Sequence, residues 1–379
     1  MKRIICTLAL LCLMTVQVSA VELDIGGKSA LLMDVATGTV LYEKNADEAL
    51  APASVTKVMT MLLIMEAVDA GKITMEDTVT ASEAAAAKGG SQIFLKVGET
   101  MTVSDMLKSI AVSSANDCAC AMAEHIAGSE SAFVEMMNSR AKELGMENTH
   151  FVNCTGLDDD PAAASHLISA GDIAIMSREL MKNHPDIKKF TTIWMDTVRN
   201  GAFGLSNTNK LIRFYPGATG LKTGFTSGAG YCLSATAERE GLELIAVVMG
   251  CATSQERTAA CKAMLDYGFA NFAVVNPDLT EQDTAVPVRL GKETSVSAVL
   301  GGDTGMLIDK AKKSAVTTEV ALAESVTAPV SKGQNLGTMT VKAGDQVLAE
   351  VPLVAAEDVP RLTWGDLFVK VLRRVAMAK

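Results

Sequence analysis

Apolar residues change their spacing along this chain, and each change marks an element. Ser29-Ala-Leu-Leu-Met-Asp34 and Thr39-Val-Leu-Tyr42 flank Ala36-Thr37-Gly38, which predicts a β-hairpin over residues 29–44. A long helix follows, with Pro52 ahead of it, Ser54 in its first turn and Gly71 at its end. Its body, Val58-Met-Thr-Met-Leu-Leu-Ile-Met65, is apolar nearly all round, so it is buried on most sides. Residues 102–145 predict two helices separated by Gly128, and 166–184 a further helix that stops before Pro185. Strands are expected at 220–226, 231–236 and 242–249, and a helix at 254–272. Helices flanking an antiparallel sheet make an α+β fold.

The pattern changes near Val275-Asn-Pro-Asp278. From Thr284 to Val354 short alternating runs with Gly turns predict a small all-β domain. From Pro360 the pattern turns helical again. Trp364, Leu367, Phe368, Val371, Leu372 and Val375 share one face, and Lys370, Arg373, Arg374 and Lys379 the other. Five basic residues against one acidic give this segment +4, in a chain of net charge −10. A basic amphipathic helix with a Trp at its edge can lie in a membrane interface, or pack on its own domain or a partner.

At the other end Lys2 and Arg3 precede an apolar run from Ile4 to Val16, and Val18-Ser19-Ala20 supplies small residues for cleavage. This is the pattern of a secretory signal peptide, and the run is short for a membrane span of about 20 residues. The expected units are therefore a signal at 1–20, a helix-and-sheet domain at 21–275, an all-β domain at 279–356 and an amphipathic helix at 360–379. The protein is expected to act outside the cytoplasm.

Composition narrows the function. The 379 residues suffice for two domains, and 49% hydrophobic content marks a folded chain. Net negative charge and 4% aromatics argue against a nucleic-acid binder. Cys6 and Cys12 fall in the signal. Cys118, Cys120, Cys154, Cys232, Cys251 and Cys261 remain and read mostly as core thiols, with no pair of CxxC knuckles for zinc.

Three short motifs carry chemistry. Ser54-Val55-Thr56-Lys57 puts a hydroxyl and an amine on one helix face. Serine is a weak nucleophile without an adjacent base. Lysine becomes that base only when burial or another cation lowers its pKa, and the apolar helix supplies burial. Free N–H groups at a helix start also favour developing negative charge. Ser139-Arg-Ala-Lys142 repeats the spacing between Glu135 and Glu143, without an apolar continuation, and reads as a solvated face. Ser114-Ala115-Asn116 sets a hydroxyl and a carboxamide on a loop before a helix, although such residues also serve as ordinary N-caps. Lys222-Thr223-Gly224 adds an ammonium and a hydroxyl to a strand, with a glycine that lets a substrate approach the strand edge. The alternative there is a plain exposed strand.

Each motif is weak alone. Their order, on helix, loop and strand, matches the SxxK, SDN and KTG set of β-lactamases and penicillin-binding proteins. The sequence resembles the low-molecular-mass penicillin-binding proteins of the D-alanyl-D-alanine carboxypeptidase family. The likeness covers nearly the whole mature chain. It includes Ala51–Thr60, Ser113–Asp117, Gly220–Thr226, the β-rich domain and the tail; Ala115 stands where many relatives have Gly or Asp.

The resemblance implies a DD-peptidase/β-lactamase-like domain and a hydrolytic serine mechanism without metal or organic cofactor. Ser54 would attack the carbonyl between two D-alanines of a peptidoglycan stem peptide, with Lys57 as base. Ser114 would relay a proton to the leaving amine, supported by Lys222. Asn116 would bind the substrate backbone and help orient Lys57. Thr223, with Arg257, would hold the terminal carboxylate; a helix-surface charge is the other reading of Arg257. Gly224 closes the strand motif, and the N–H groups of Ser54 and Phe225 would form the oxyanion hole. β-Lactam antibiotics would acylate Ser54. His125, His150, His166 and His184 show no HExxH spacing and read as structural or surface residues.

Three rival readings share the motifs. A class A β-lactamase needs a further glutamate, and Glu179-Leu-Met-Lys-Asn183 has the wrong spacing for it. A DD-endopeptidase that cuts cross-links has the same motifs. A wall-binding module without catalysis would not need all six motif residues.

Overall fold

The computed structural model describes residues 23–369 apart from 281 and 303. The expected signal at 1–20 and the tail from residue 370 lie outside the described residues. Strands β1 (Ser29–Asp34) and β2 (Val40–Lys44) form the expected hairpin. A 3-10 turn, Ala53–Thr56, runs directly into α1 (Lys57–Asp69). Val58, Met59, Met61, Leu62 and Ile64 all have 0% exposure, so the helix is enclosed on every side.

Three helices follow where two are expected: α2 (Val103–Ser113), α3 (Asn116–Ala127) and α4 (Glu130–Glu143). The extra break falls on the second motif. Ser114 takes a left-handed φ of 63°, and such a residue cannot continue a right-handed helix. Helix α5 (Ala170–Asn183) starts at Ala170 rather than His166, where the Ser169 hydroxyl accepts the Asp172 N–H.

Then come β3 (Ala218–Thr226), β4 (Gly230–Arg239), β5 (Leu242–Cys251), α6 (Ser254–Asn271) and β6 (Phe272–Val275). The main sheet has the order β2-β1-β5-β4-β3 and is antiparallel throughout. Its central strand β5 reads as an apolar run, because both faces are covered. Helices α1 to α3 and α5 pack on one side and α6 on the other. Strand β3 is left at the edge.

The second domain comprises β7 (Ala285–Arg289), β8 (Ser295–Leu300), β9 (Met306–Asp309), β10 (Val316–Leu322), β11 (Val326–Thr327), β12 (Asn335–Ala343) and β13 (Gln346–Ala355). Six of them form one sheet, β10-β12-β13-β8-β7-β11. In β7 buried Val286 and Val288 alternate with exposed neighbours, the signature of a sheet covered on one face. Strand β6, just before the expected boundary, pairs with β9 beyond it, so the seam between domains is itself a two-stranded ribbon.

Residues 364–369 are helical, with Trp364 and Phe368 exposed. Among the described residues no helix is long and apolar enough to cross a membrane. The six cysteines from Cys118 to Cys261 are buried free thiols.

Candidate active site

Three pieces of backbone meet at the site: the 3-10 turn at the head of α1, the break between α2 and α3, and edge strand β3. The turn presents Ser54 half-buried, and the next helical turn brings Lys57 back beneath it. Lys57 Nζ donates to Ser54 Oγ at 2.9 Å and to the Thr155 carbonyl at 2.7 Å. The lysine is completely buried. Burial lowers its pKa from 10.5 to about 7, a fall only partly offset by the Cys154 thiol and the Asp117 carboxylate. At neutral pH a large share of this amine is unprotonated and able to accept the serine proton.

Ser114 caps α2 and is itself nearly buried. Asn116 opens α3. Its Nδ2 donates to the Gly89 carbonyl at 2.8 Å, and its N–H to Ser91 O at 2.7 Å. Its Oδ1 is buried without a partner among the described residues. Lys57 thus takes its second acceptor from Thr155 rather than from Asn116, the residue expected to orient it.

On β3, Lys222 is buried and donates to the Thr223 carbonyl at 2.8 Å. Burial holds its pKa well below the usual lysine value, and the Lys57 and Arg257 charges push it further down. Thr223 Oγ1 shares a 2.7 Å hydrogen bond with Thr208 Oγ1, and Thr208 N–H donates to Val112 O at 3.1 Å. Thr208 therefore ties the edge strand to the end of α2.

Gly224 has a different reason from the expected one. A Cβ there would stand 2.6 Å from the Pro52 carbonyl and 3.2 Å from Ala53 Cβ. The missing side chain lets β3 approach the nucleophile turn. Phe225 is 54% exposed, its ring stacked 4.2 Å from Tyr231.

Arg257 is no surface charge. It is buried on α6, with Nη1 donating to the Gly224 carbonyl at 3.0 Å and the Cys232 carbonyl at 3.3 Å. The guanidinium braces the β3–β4 pair at the KTG motif and lies 5.4 Å over the Tyr231 ring.

Several residues here carry no role in the sequence reading. Asp117 is buried, and its carboxylate takes the N–H groups of Ile93 at 3.1 Å and Leu95 at 3.0 Å, pinning the segment beside Asn116. Thr155, Gly156 and Thr208 sit on loops, and only their polar or glycine character hints at a role.

Residues 15–253 match the family model described as D-alanyl-D-alanine carboxypeptidase, well over half of the chain. The chain belongs to the D-alanyl-D-alanine carboxypeptidase family. Residues 276–361 match the C-terminal domain of penicillin-binding protein 5. D-alanyl-D-alanine carboxypeptidase DacF of Bacillus subtilis is 47% identical over 345 residues, covering 90% of this chain and 87% of that protein. Penicillin-binding protein 5 from Haemophilus influenzae superposes with a TM-score of 0.71 at 32% identity, over 89% of this chain and 98% of that one. Penicillin-binding protein D2 from Listeria monocytogenes, solved in an ampicillin-bound form, gives 0.59 at 32% identity over 65% of this chain and 99% of that one. As a member of this carboxypeptidase family the chain is a serine-type peptidase with a cell-wall function. The Ser54–Lys57 pair is the arrangement that such a reaction needs.

Proposed function

We propose that this protein removes the terminal D-alanine from peptidoglycan stem pentapeptides through an acyl-enzyme on Ser54. The observation that carries the reading is the fully buried Lys57 amine, 2.9 Å from Ser54 Oγ, with its pKa lowered to about 7. Lys57 takes the hydroxyl proton as Ser54 Oγ bonds to the D-Ala-D-Ala carbonyl carbon. The developing oxyanion accepts the N–H groups of Ser54 and Phe225. Ser114 passes a proton to the leaving amine, the C–N bond breaks and D-alanine departs. Water then cleaves the ester, again with Lys57 as base, and releases the shortened peptide. Asn116 binds the substrate backbone.

Lys222, Thr223 and Arg257 suit a substrate that ends in a carboxylate. They place an arginine cation, a second buried amine and a hydroxyl along strand β3, and Lys222 feels the Lys57 and Arg257 charges. Strand β3 lies at a sheet edge, where an extended peptide can pair with its backbone. β-Lactams, with their strained amide, acylate the same serine.

The experiment is D-alanine release from a pentapeptide ending in D-Ala-D-Ala, comparing the mature protein with Ser54→Ala. Release by the parent alone establishes the reaction and its nucleophile. Labelling by penicillin without D-alanine release moves the reading to a cross-link endopeptidase, and no labelling overturns it.

The signal-like N-terminus and the basic tail support a place outside the cytoplasm, on the outer face of the membrane. The exposed Trp364 and Phe368 fit an interfacial helix. Deleting residues 360–379 should release the mature protein from membranes; a truncated form that still sediments with them would sink the anchor.

A further inference from the structure

The sequence reads His166 as structural or surface, and the ring in fact lies beneath the nucleophile turn. It belongs to an ordered chain of donors. Val152 N–H donates to His166 Nδ1 at 3.1 Å. A backbone N–H can only donate, so Nδ1 is unprotonated and the ring proton sits on Nε2. Nε2 is 2.9 Å from Thr56 Oγ1 and therefore donates to it. The Thr56 hydroxyl donates in turn to the Ala53 carbonyl at 2.8 Å. Every link runs one way, toward the peptide that precedes Ser54.

That peptide needs holding. Ala53 has a left-handed φ of 48°, a strained conformation for a residue with a side chain. Gly156 closes on it from the other side. A Cβ there would lie 1.9 Å from Ala53 O and 2.6 Å from Thr56 Oγ1. The Phe151 ring packs edge-on against His166, with centroids 5.7 Å apart. A second proton on Nδ1 would face the Val152 donor, so the chain requires a neutral ring. Burial, His150 and Lys57 favour that state, lowering the His166 pKa to about 4.

We propose that His166, acting through Thr56, is a positioning residue that fixes the Ala53–Ser54 peptide so that Ser54 Oγ stays on Lys57. The inference rests on Ser54 being the nucleophile. His166 touches neither substrate nor the reacting atoms.

The test uses three variants of the mature protein. Thr56→Val keeps the volume and removes both links. His166→Phe keeps the packing on Phe151. His166→Gln restores a donor at the Nε2 end. The readouts are the acylation rate by a fluorescent penicillin per folded molecule, the dissociation constant of the complex before acylation, and the thermal midpoint. Thr56→Val and His166→Phe should acylate roughly tenfold to a hundredfold more slowly, because small misplacements of a reacting atom carry such penalties. Binding before acylation should stay within about twofold, and His166→Gln should recover most of the rate. A lower midpoint with an unchanged rate per folded molecule would show a merely structural role and overturn the proposal. If His166→Phe does not fold, Thr56→Val decides. Nitrogen NMR of the parent should find the Nε2-protonated neutral ring at pH 6, and the other tautomer or an imidazolium there overturns the chain. A parent that takes no label, like Ser54→Ala, overturns the Ser54 reading and this inference together.

Discussion

Ser54 and Lys57 stand three residues apart where a 3-10 turn enters α1; Ser139 and Lys142 stand three residues apart near the end of α4. In both pairs a helical turn brings the two side chains to one face. Around Lys57 the core removes all water, and the amine loses much of its preference for the proton. Around Lys142 nothing does. Ser139 and Lys142 are exposed, and the neighbouring Arg140 and Glu143 pair at 3.2 Å on the surface. Spacing produces contact, but burial produces a base.

The largest effect that tests this contrast is loss of the nucleophile. Ser54→Ala should lower D-alanine release on the order of 10⁴-fold or more, while Ser139→Ala leaves it unchanged. Equal losses in both would break the comparison. Next is the base. Lys57→Met should slow acylation by roughly 10²–10⁴-fold, and Lys142→Met should change neither the rate nor the stability by more than about 0.5 kcal/mol.

Lys57→Met also has a stability signature. The folded pKa of about 7 lies below the unfolded 10.5, so between these values the unfolded chain binds more protons. Parent stability therefore rises with pH across that window, and below it the cost of the buried ammonium is fully present. Chemical denaturation should find the Met variant more stable than the parent at pH 6, with the difference shrinking toward pH 10. A constant difference would mean that Lys57 is not desolvated.

A smaller loss is expected where β3 meets the turn. Gly224→Ala forces a methyl within 2.6 Å of Pro52 O. Penicillin acylation should slow by about tenfold to a hundredfold, as expected for a displaced strand edge. Gly204, whose added Cβ would meet nothing within 4 Å, is the control. The gentlest probe is pH. Below pH 7 the acylation rate should fall about tenfold per unit as Lys57 takes up its proton. A profile flat down to pH 5 would remove lysine from the role of base.

Much of the site was legible because its parts are local. The apolar run after Ser54 shows that a helix there is enclosed, and enclosure shifts a lysine pKa. The alternation of β7 and the turns around it show a one-sided sheet. The loop at Ser114 was legible from its motif, although the count of two helices over 102–145 left it out, and its left-handed turn is settled by what packs around it. Thr155, Thr208 and His166 were illegible for a related reason. Each is a common polar residue on a loop, and what matters about it is a partner distant in the chain, Thr155 lying 98 residues from Lys57.

By itself the sequence determined most of the elements, the helix-and-sheet and all-β units, the family and a set of candidate residues for the chemistry. These follow from periodicity and short spacing, which act within a few turns of chain. Tertiary structure alone decided that Gly224 serves the approach of β3 to Pro52, that Arg257 braces β3 and β4 from α6, and that the Thr155 carbonyl holds Lys57. Those are contacts between surfaces folded from distant segments, and hydrogen bonding and close packing depend on positions in space that no local pattern encodes.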